Sequence, residues 1–202
     1  MGRKKSYQRD DLIERAMGLF WRLGYEGTSI TALTEQLNVN KFGLYAEFGS
    51  KQGLYEVTLQ RYDDIVVSRH FGRLETPTSG LDDIAAGFHF FATAPENTPI
   101  PLGCMLCNAA TERAALDTMT AGHVARYMER MTNAHRNALA NAERDGQLRS
   151  GTDIQAQSAL FVTQLLGLFV LRRSQADLYM LQLAGEAAHR QIDALRITPK
   201  RS

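Results

Sequence analysis

The chain has 202 residues, of which 44% are hydrophobic and 22% are charged, and its formal net charge is +1. This composition is ordinary for a globular protein with a full hydrophobic core. Two cysteines argue against a disulfide scaffold, and no stretch approaches the roughly 18 consecutive apolar residues of a membrane span. The basic N-terminus is not followed by the apolar region of a secretory signal. We therefore expect a cytoplasmic protein without a membrane partner.

The first nine residues hold positive charge that the balanced total hides. Arg3, Lys4, Lys5 and Arg9 lie ahead of the first patterned segment. A basic arm of this kind can neutralise phosphates or enter a minor groove of DNA. The alternative interpretation is a solvated, disordered tail.

The first seventy residues or so are predicted to form four helices joined by very short turns. The second and third helices have the size of a helix-turn-helix, although helical hairpins are common in all-α proteins. Asn38 occupies the turn between them, and Asn tolerates the left-handed conformation. The predicted helices are a first with Leu12, Ala16, Leu19, Phe20 and Leu23 on one face and Gly24 as C-cap, a second from Thr28 or Ser29 to about Leu37, a third capped by Asn40 and ending near Glu47, and a fourth capped by Ser50 and ending near Phe71.

The rest of the chain is also patterned for helices. Residues 76–80, Thr-Pro-Thr-Ser-Gly, are rich in turn formers and indicate a boundary. Thr152 and Gln155 have the spacing of a capping box. No strand run is evident, so the predicted fold class is all-α. The further segments are a helix with Ile84, Phe88 and Phe91, a loop over residues 94–101, and helices over about 103–115, 120–144, 153–173 and 177–195.

Three motifs near the N-terminus resemble the DNA-binding domain of the tetracycline-repressor (TetR) family. They are Gly24-Tyr-Glu-Gly-Thr-Ser-Ile30, Val39-Asn-Lys-Phe-Gly-Leu-Tyr45 and Phe48-Gly-Ser-Lys-Gln-Gly-Leu54, and the preceding segment Ala16-Met-Gly-Leu-Phe20 matches as well. The resemblance is strong over about residues 8 to 60. The resemblance implies a DNA-binding transcriptional regulator, with residues 1–50 as arm and helix-turn-helix domain. Residues 51–75 would be a connecting helix, and residues 76–202 a helical bundle for effector binding and dimerisation.

The resemblance implies that residues 40–45 form the recognition helix in the major groove. Lys41 would then approach bases or a phosphate, and Thr28, Tyr45 and Lys51 match phosphate-contacting positions. Phe42 and Gly43 depart from the family pattern, and Phe42 could contact a thymine methyl or pack on the preceding helix. The predicted DNA-binding residues are Arg3, Lys4, Lys5, Thr28, Asn40, Lys41, Phe42, Tyr45 and Lys51.

The C-terminal part is predicted to bind a small neutral or apolar effector, because few charges interrupt its apolar stripes. Binding would tilt the helix from Lys51 to Phe71 and release the DNA. Apolar residues on the last two helices, among them Val162, Phe169, Val170, Leu178, Leu181, Ala188 and Ile192, predict a homodimer interface. The predicted pocket residues are Phe88, Phe91, Cys104, Met105, Met128, Met131, Phe161 and Leu165.

Cys104 and Cys107 form a Cys-x-x-Cys pair at the start of a predicted helix, where the helix dipole favours a thiolate. They could sense oxidants, act as a thiol oxidoreductase, or be two small buried residues. One cysteine pair without a second pair or a close histidine pair does not predict a metal site, and no cofactor is expected. Because no strand scaffold or nucleophile elbow accompanies the pair, we expect no enzyme. A helical bundle that binds proteins and has lost DNA affinity is the third alternative.

Overall fold

The computed structural model describes residues 7–93, 102–113 and 117–197, and these are mostly helical. Within those ranges the β-structure is an isolated bridge between Leu148 and Arg196, so the all-α prediction is confirmed. The predicted arm residues Arg3, Lys4 and Lys5 and the predicted loop over 94–101 lie outside the described residues.

The helices follow the predicted order with small shifts of their ends. The fourth predicted helix is divided, because a π-helical turn interrupts the regular α-helical hydrogen bonding after Tyr62. The elements are α1 (Arg9–Gly27), α2 (Ile30–Leu37), α3 (Lys41–Phe48), α4 (Lys51–Tyr62), the π-helical turn (Asp63–Val67), α5 (Ser68–Phe71), α6 (Leu81–Thr93), α7 (Met105–Glu112), α8 (Thr118–Arg144), α9 (Ile154–Arg173) and α10 (Leu178–Ala194).

Short polar side chains begin several of these helices. Ser29, Asn40 and Ser50 each accept a hydrogen bond from a backbone N–H three residues later, which satisfies a donor that the helix leaves unpaired. The predicted capping box at Thr152 is wrong. Asp153 begins α9 instead, and its carboxylate accepts from the Ala156 N–H at 3.0 Å.

The chain divides into two compact units. The first contains residues 7–66 and the described residues between 105 and 125, and the second contains 67–93, 102–104 and 126–197. The sequence-based boundaries at residues 50 and 75 divide the chain by expected role rather than by which residues pack together, and they stay a prediction. The core of the first unit includes Leu12, Phe20, Leu33, Leu44, Leu54 and Tyr55.

Leu23 was predicted on the buried face of α1, but it is 48% exposed. Helical geometry breaks one residue later, where Gly24 takes φ +75° and ψ 174°. The predicted helix end at this glycine is therefore confirmed, although the last turn of α1 continues to Gly27 beyond the kink.

In the second unit, α6 packs against both α9 and α10. Gly185 of α10 lies directly against Ala92 of α6, so a side chain at Gly185 would overlap the Ala92 Cβ. Among the described helices, α9 is long and apolar enough by length and composition alone to cross a membrane. A third of its most apolar stretch is buried within the protein, and a helix packed in a protein core passes the same test.

Candidate nucleic-acid interface

The turn between α2 and α3 has the geometry of a tight helix-turn-helix connection. Asn38 adopts φ 54°, ψ 43°, as its residue type suggested, and its N–H bonds the Glu35 carbonyl at 3.3 Å. Arg15 of α1 donates to the carbonyls of Gln36 and Leu37 at the end of α2. The end of α2 is therefore satisfied by a side chain from α1, a contact that sequence reasoning missed.

The third helix, α3, which is the predicted recognition helix, buries one face and exposes the other. Leu44 and Phe48 are buried beneath it. Asn40 accepts from the Gly43 N–H at 2.7 Å, which orders the first turn. Lys41 is exposed and Phe42 is 84% exposed, so Phe42 does not pack on the preceding helix. An exposed phenylalanine at the start of a recognition helix is available to a partner.

Gly43, one of the two departures from the expected family pattern, lies close to two neighbouring side chains. A Cβ at this position would lie 3.1 Å from Val39 Cγ1 and 3.4 Å from Asn40 Oδ1. A side chain at Gly43 would therefore be tight against the Val39 side chain, which must give by a few tenths of an ångström, and would meet Asn40 at an ordinary contact distance.

Two aromatic residues of α3 lie beside cations. Lys41 Nζ is 5.6 Å from the ring centroid of half-buried Tyr45. Arg9 Cζ is 5.3 Å from the Phe48 ring, and Arg9 Nε pairs with Glu47 Oε1 at 3.3 Å. Phe48 is buried and Arg9 is paired with Glu47, so of these two pairs only Lys41 with Tyr45 adds positive charge and aromatic surface to the open side of α3. That combination suits a polyanion with stacked bases.

Thr28 does not present its hydroxyl to a phosphate. It is 0% exposed, and its hydroxyl donates to the Gly24 carbonyl at 2.6 Å. The role expected of this side chain is thus corrected: it holds the turn before α2 in shape. A buried threonine with a satisfied hydroxyl cannot be distinguished from an anion-binding one by sequence alone.

Lys51, the predicted phosphate contact on α4, is half-buried. Its Nζ lies 4.1 Å from the ring centroid of Tyr25, within cation–π range. Burial lowers the pKa of Lys51 below its ordinary value. The carboxylate of Glu26 opposes this decrease, and the like charge of Arg113 adds to it. The ammonium is therefore held on a ring rather than extended freely into solvent.

The predicted pocket residues are buried as expected, except Met128, which is half-buried. Phe88 and Phe161 have ring centroids 5.7 Å apart, and Phe91 meets Phe169 edge-on at 4.9 Å. Met105 belongs to the first unit and is not grouped with these rings.

Two open grooves of the second unit have volumes of about 500 and 570 Å³. They are bordered mainly by polar side chains such as Arg126, Glu129 and His189. None of the predicted pocket residues lines either groove.

The two cysteines are both buried. Cys104 is 3% exposed, and its Sγ lies 3.1 Å from the hydroxyl of buried Tyr127, within hydrogen-bonding distance. Reactive cysteines are generally accessible, so this burial favours a packing role. No cluster of three or more metal-ligating side chains occurs in the described parts of the chain.

A compact helix-turn-helix whose second helix exposes Lys41 and Phe42, in a chain that also holds a second helical unit, is typical of a DNA-binding regulator. The family model described as "Bacterial regulatory proteins, tetR family" matches residues 12–58. A second, described as "Tetracyclin repressor-like, C-terminal domain", matches residues 80–188. The chain therefore belongs to the TetR family of bacterial transcriptional regulators, which are not enzymes.

Individual relatives agree. The chain is 35% identical over 111 residues to the transcriptional repressor ComR of Escherichia coli, a match that spans 54% of this chain and 53% of that repressor. It is 28% identical to the regulator YezE of Bacillus subtilis, over 90% of this chain and 94% of YezE. A cysteine mutant of the TetR-family regulator CifR, in a structure with 26 bp operator DNA, has a TM-score of 0.82 and 27% identity, covering 93% of this chain and 98% of CifR.

Proposed function

We propose that this regulator is a repressor that binds a pseudo-palindromic operator as a homodimer and leaves it when a small neutral or apolar molecule binds the second unit. The main support for this DNA-binding surface is the exposure of the first turn of α3, where Lys41 and Phe42 are exposed and Tyr45 follows one turn later. Repression is supported by ComR, which is named as a repressor.

Lys41 and Phe42 are assigned complementary roles in this proposal. The Lys41 ammonium donates to guanine edges or to a phosphate, and the Phe42 ring contacts a thymine methyl or another apolar base edge. Tyr45 supports the lysine from the next helical turn, with its ring 5.6 Å from Nζ. Phosphate contacts set the position of the helix, whereas these base contacts discriminate between sequences.

The experiment begins with selection of genomic DNA fragments on the purified protein, followed by titration of the enriched site at several salt concentrations. Phe42→Ala should lower operator affinity while leaving the weak binding of random DNA nearly unchanged. Lys41→Ala should lower both if it contacts phosphate, with a smaller salt slope by about one. Arg149→Ala, which removes an exposed charge in the second unit, is the matched control. Equal operator affinity in all three variants would contradict the proposed surface.

The dimer is proposed to form through exposed apolar residues of α9 and α10. Several residues expected at that interface from sequence, including Val162, Phe169, Leu181, Ala188 and Ile192, are instead buried within the protomer. Val170 and Leu178 were also expected at the interface and are exposed, as are four residues that were not predicted there: Leu160, Tyr179, Met180 and Leu183. Exposed large apolar residues concentrated on two helices of a protomer support an interface there.

Sedimentation velocity tests the dimer. Tyr179→Glu places a charge on the 70% exposed tyrosine of α10 and should convert the dimer to monomer. Met119→Glu, on an exposed apolar residue of the first unit, is the control and should leave the dimer intact. A dimer that tolerates Tyr179→Glu would move the interface elsewhere.

The effector is proposed to bind among the aromatic residues of the second unit, around Phe88, Phe91 and Phe161. Screening should find neutral or apolar compounds that raise the melting temperature and weaken operator binding together, because a ligand shifts only equilibria to which it binds unequally. Phe88→Trp should weaken this effect, and Arg126→Ala, in the polar groove, should not. If Arg126→Ala, and not Phe88→Trp, abolishes the effect of these compounds on operator binding, the effector site lies in the polar groove instead.

Oxidant sensing through Cys104 is a second candidate that competes with the packing role: an oxidant that reached this buried thiol would alter its contact with Tyr127. Loss of the thiol proton or bulk added by oxidation would disrupt this buried contact. Operator binding should then fall on treatment with hydrogen peroxide in the wild-type protein and persist in Cys104→Ser. Equal sensitivity of both proteins, or equal resistance, would leave Cys104 as a core residue.

A further inference from the structure

Residues from the end of α7 and the start of α8 contact the DNA-binding helices within the first unit. Glu112 Oε1 accepts from the backbone N–H of Glu26 at 3.0 Å. Arg113 reaches the Glu26 carboxylate at 3.4 Å and the Gln52 side-chain oxygen at 3.3 Å. Gln52 in turn donates to Asp117 Oδ2 at 2.6 Å. We refer to Glu112, Arg113 and Asp117 as the α7–α8 contact residues.

Glu112 is fitted to the backbone of the kink in α1. A Cβ at Gly24 would lie 2.7 Å from both carboxylate oxygens. The Glu112 carboxylate can therefore approach the backbone this closely only because residue 24 is a glycine. The same turn contains the Gly24 carbonyl that accepts from buried Thr28, immediately before α2. The position of Glu112 and the shape of the turn that starts the helix-turn-helix therefore depend on each other.

Tyr25, which follows the kink, has two cations within cation–π distance of its ring. Lys51 Nζ is 4.1 Å and Arg113 Cζ is 4.5 Å from its ring centroid. Both groups are attracted to the negative potential of the ring and repel one another. The position of the Lys51 ammonium therefore depends on the position of the Arg113 guanidinium. The Glu26 carboxylate, which pairs with Arg113, offsets part of the repulsion between the two cations.

Asp117 connects the same cluster to the beginning of α8. It accepts from the backbone N–H groups of Met119 at 3.2 Å and Thr120 at 3.1 Å, and also from the Thr120 hydroxyl. These bonds order the carboxylate before it meets Gln52, the second residue of α4. The first turn of α4, which carries Lys51, is thus tied to an ordered helix start.

We propose that the α7–α8 contact residues are positioning residues for operator binding. They hold the Gly24–Gly27 turn and the first turn of α4 so that α2, α3 and the Lys51 ammonium meet the phosphates in one fixed arrangement. Their assigned role is to orient these groups rather than to contact DNA themselves. This inference rests on the proposed DNA-binding function, because it assigns Lys51 to a phosphate.

Operator affinity of the full-length protein, measured by fluorescence anisotropy well below the melting temperature and corrected for active fraction, tests the proposal. Glu112→Ala should weaken operator binding about tenfold, as expected when roughly one well-placed contact is lost, and reduce the salt slope by about one. Glu112→Gln keeps an acceptor for the Glu26 N–H and should restore most of the affinity. Thr111→Ala, one residue earlier on α7, is the matched control, since its hydroxyl donates to Asn108 of the same helix.

A purely structural role would lower the melting temperature without changing the salt slope of the folded fraction, and that outcome would overturn the proposal. In a Lys51→Ala background, the Glu112→Ala effect should shrink, because the positioned group is already absent. If Glu112→Ala does not fold, Gln52→Ala breaks the link to Asp117 without altering the kink, and should show the same loss of affinity and slope.

Different results would refute the proposed DNA-binding surface and the proposed positioning role. If Lys41→Ala and Lys51→Ala both leave operator binding unchanged, the proposed DNA surface is wrong. If those variants weaken binding while Glu112→Ala and Gln52→Ala bind as tightly as wild type, the DNA surface stands and the positioning role is refuted.

Discussion

Replacement of Gly24 by alanine tests the close approach between the α1 kink and α7. The backbone at this residue, φ +75° and ψ 174°, lies in a region that is essentially restricted to glycine. Any other residue held there costs about 1–3 kcal/mol. The new methyl group would also lie 2.7 Å from the Glu112 carboxylate oxygens, so that this side chain must withdraw.

Withdrawal of the carboxylate breaks its hydrogen bond to the Glu26 N–H. The bond has a charged acceptor but is solvent-exposed, so we assign it about 1 kcal/mol, below the usual range for charged groups. Gly24→Ala should therefore lower the free energy of unfolding by about 2–4 kcal/mol in total. In a Glu112→Ala background the same change should cost about 1 kcal/mol less, because the bond and the overlap are already gone.

Urea unfolding followed by circular dichroism measures these differences, with thermal unfolding as a second probe. Gly18→Ala is the control in the same helix: its added Cβ meets Arg22 Nη1 at an ordinary 3.5 Å, and alanine should stabilise the helix by roughly 1 kcal/mol. Gly24→Ala with wild-type stability would refute the backbone argument. If Gly24→Ala lowers the free energy of unfolding equally in the wild-type and Glu112→Ala backgrounds, the assigned contact between Glu112 and the kink is refuted.

Two further predictions concern the second unit. Burial, opposed by the Met131 carbonyl, lowers the pKa of His135 below its ordinary value of 6.5. Stability should therefore be full above about that pH and fall as the pH drops below it, because the unfolded chain takes up the proton first. Melting temperatures between pH 7.5 and 5.5 should show a smaller decrease for His135→Leu, and an unchanged pH dependence would exclude this residue as a cause. Gly185→Ala should destabilise by about 1–3 kcal/mol because its methyl overlaps Ala92, whereas Gly87→Ala in α6, with open space around it, should not. Equal melting temperatures of the two variants would contradict that packing.

Local features of the fold could be predicted from the sequence because their causes lie within a few residues. Asn38 takes the left-handed conformation that its side chain tolerates, and Ser29, Asn40 and Ser50 begin helices by bonding a backbone N–H three residues onward. Such signals act through the local chain and do not depend on the remainder of the molecule. The failure at Thr152 is of the same kind, since Asp153 offers an equally good cap one residue later.

Burial and partner choice required the tertiary structure. Thr28 is buried and Leu23 is exposed, against expectation. The Thr28 prediction came from a family resemblance and the Leu23 prediction from helical spacing, and neither shows which other parts of the chain pack against a side chain. Periodicity also could not divide the apolar residues of α9 and α10 between the protomer core and an exposed face.

The contacts of Glu112 with Gly24 and Glu26 join residues more than eighty positions apart. A single sequence carries no local signal for such a pair: the energy of a hydrogen bond or an overlap depends on distances that only the folded chain brings within a few ångströms. The sequence by itself therefore determined the helices, their caps and the family, whereas tertiary packing decided which polar groups surround the DNA-binding helices.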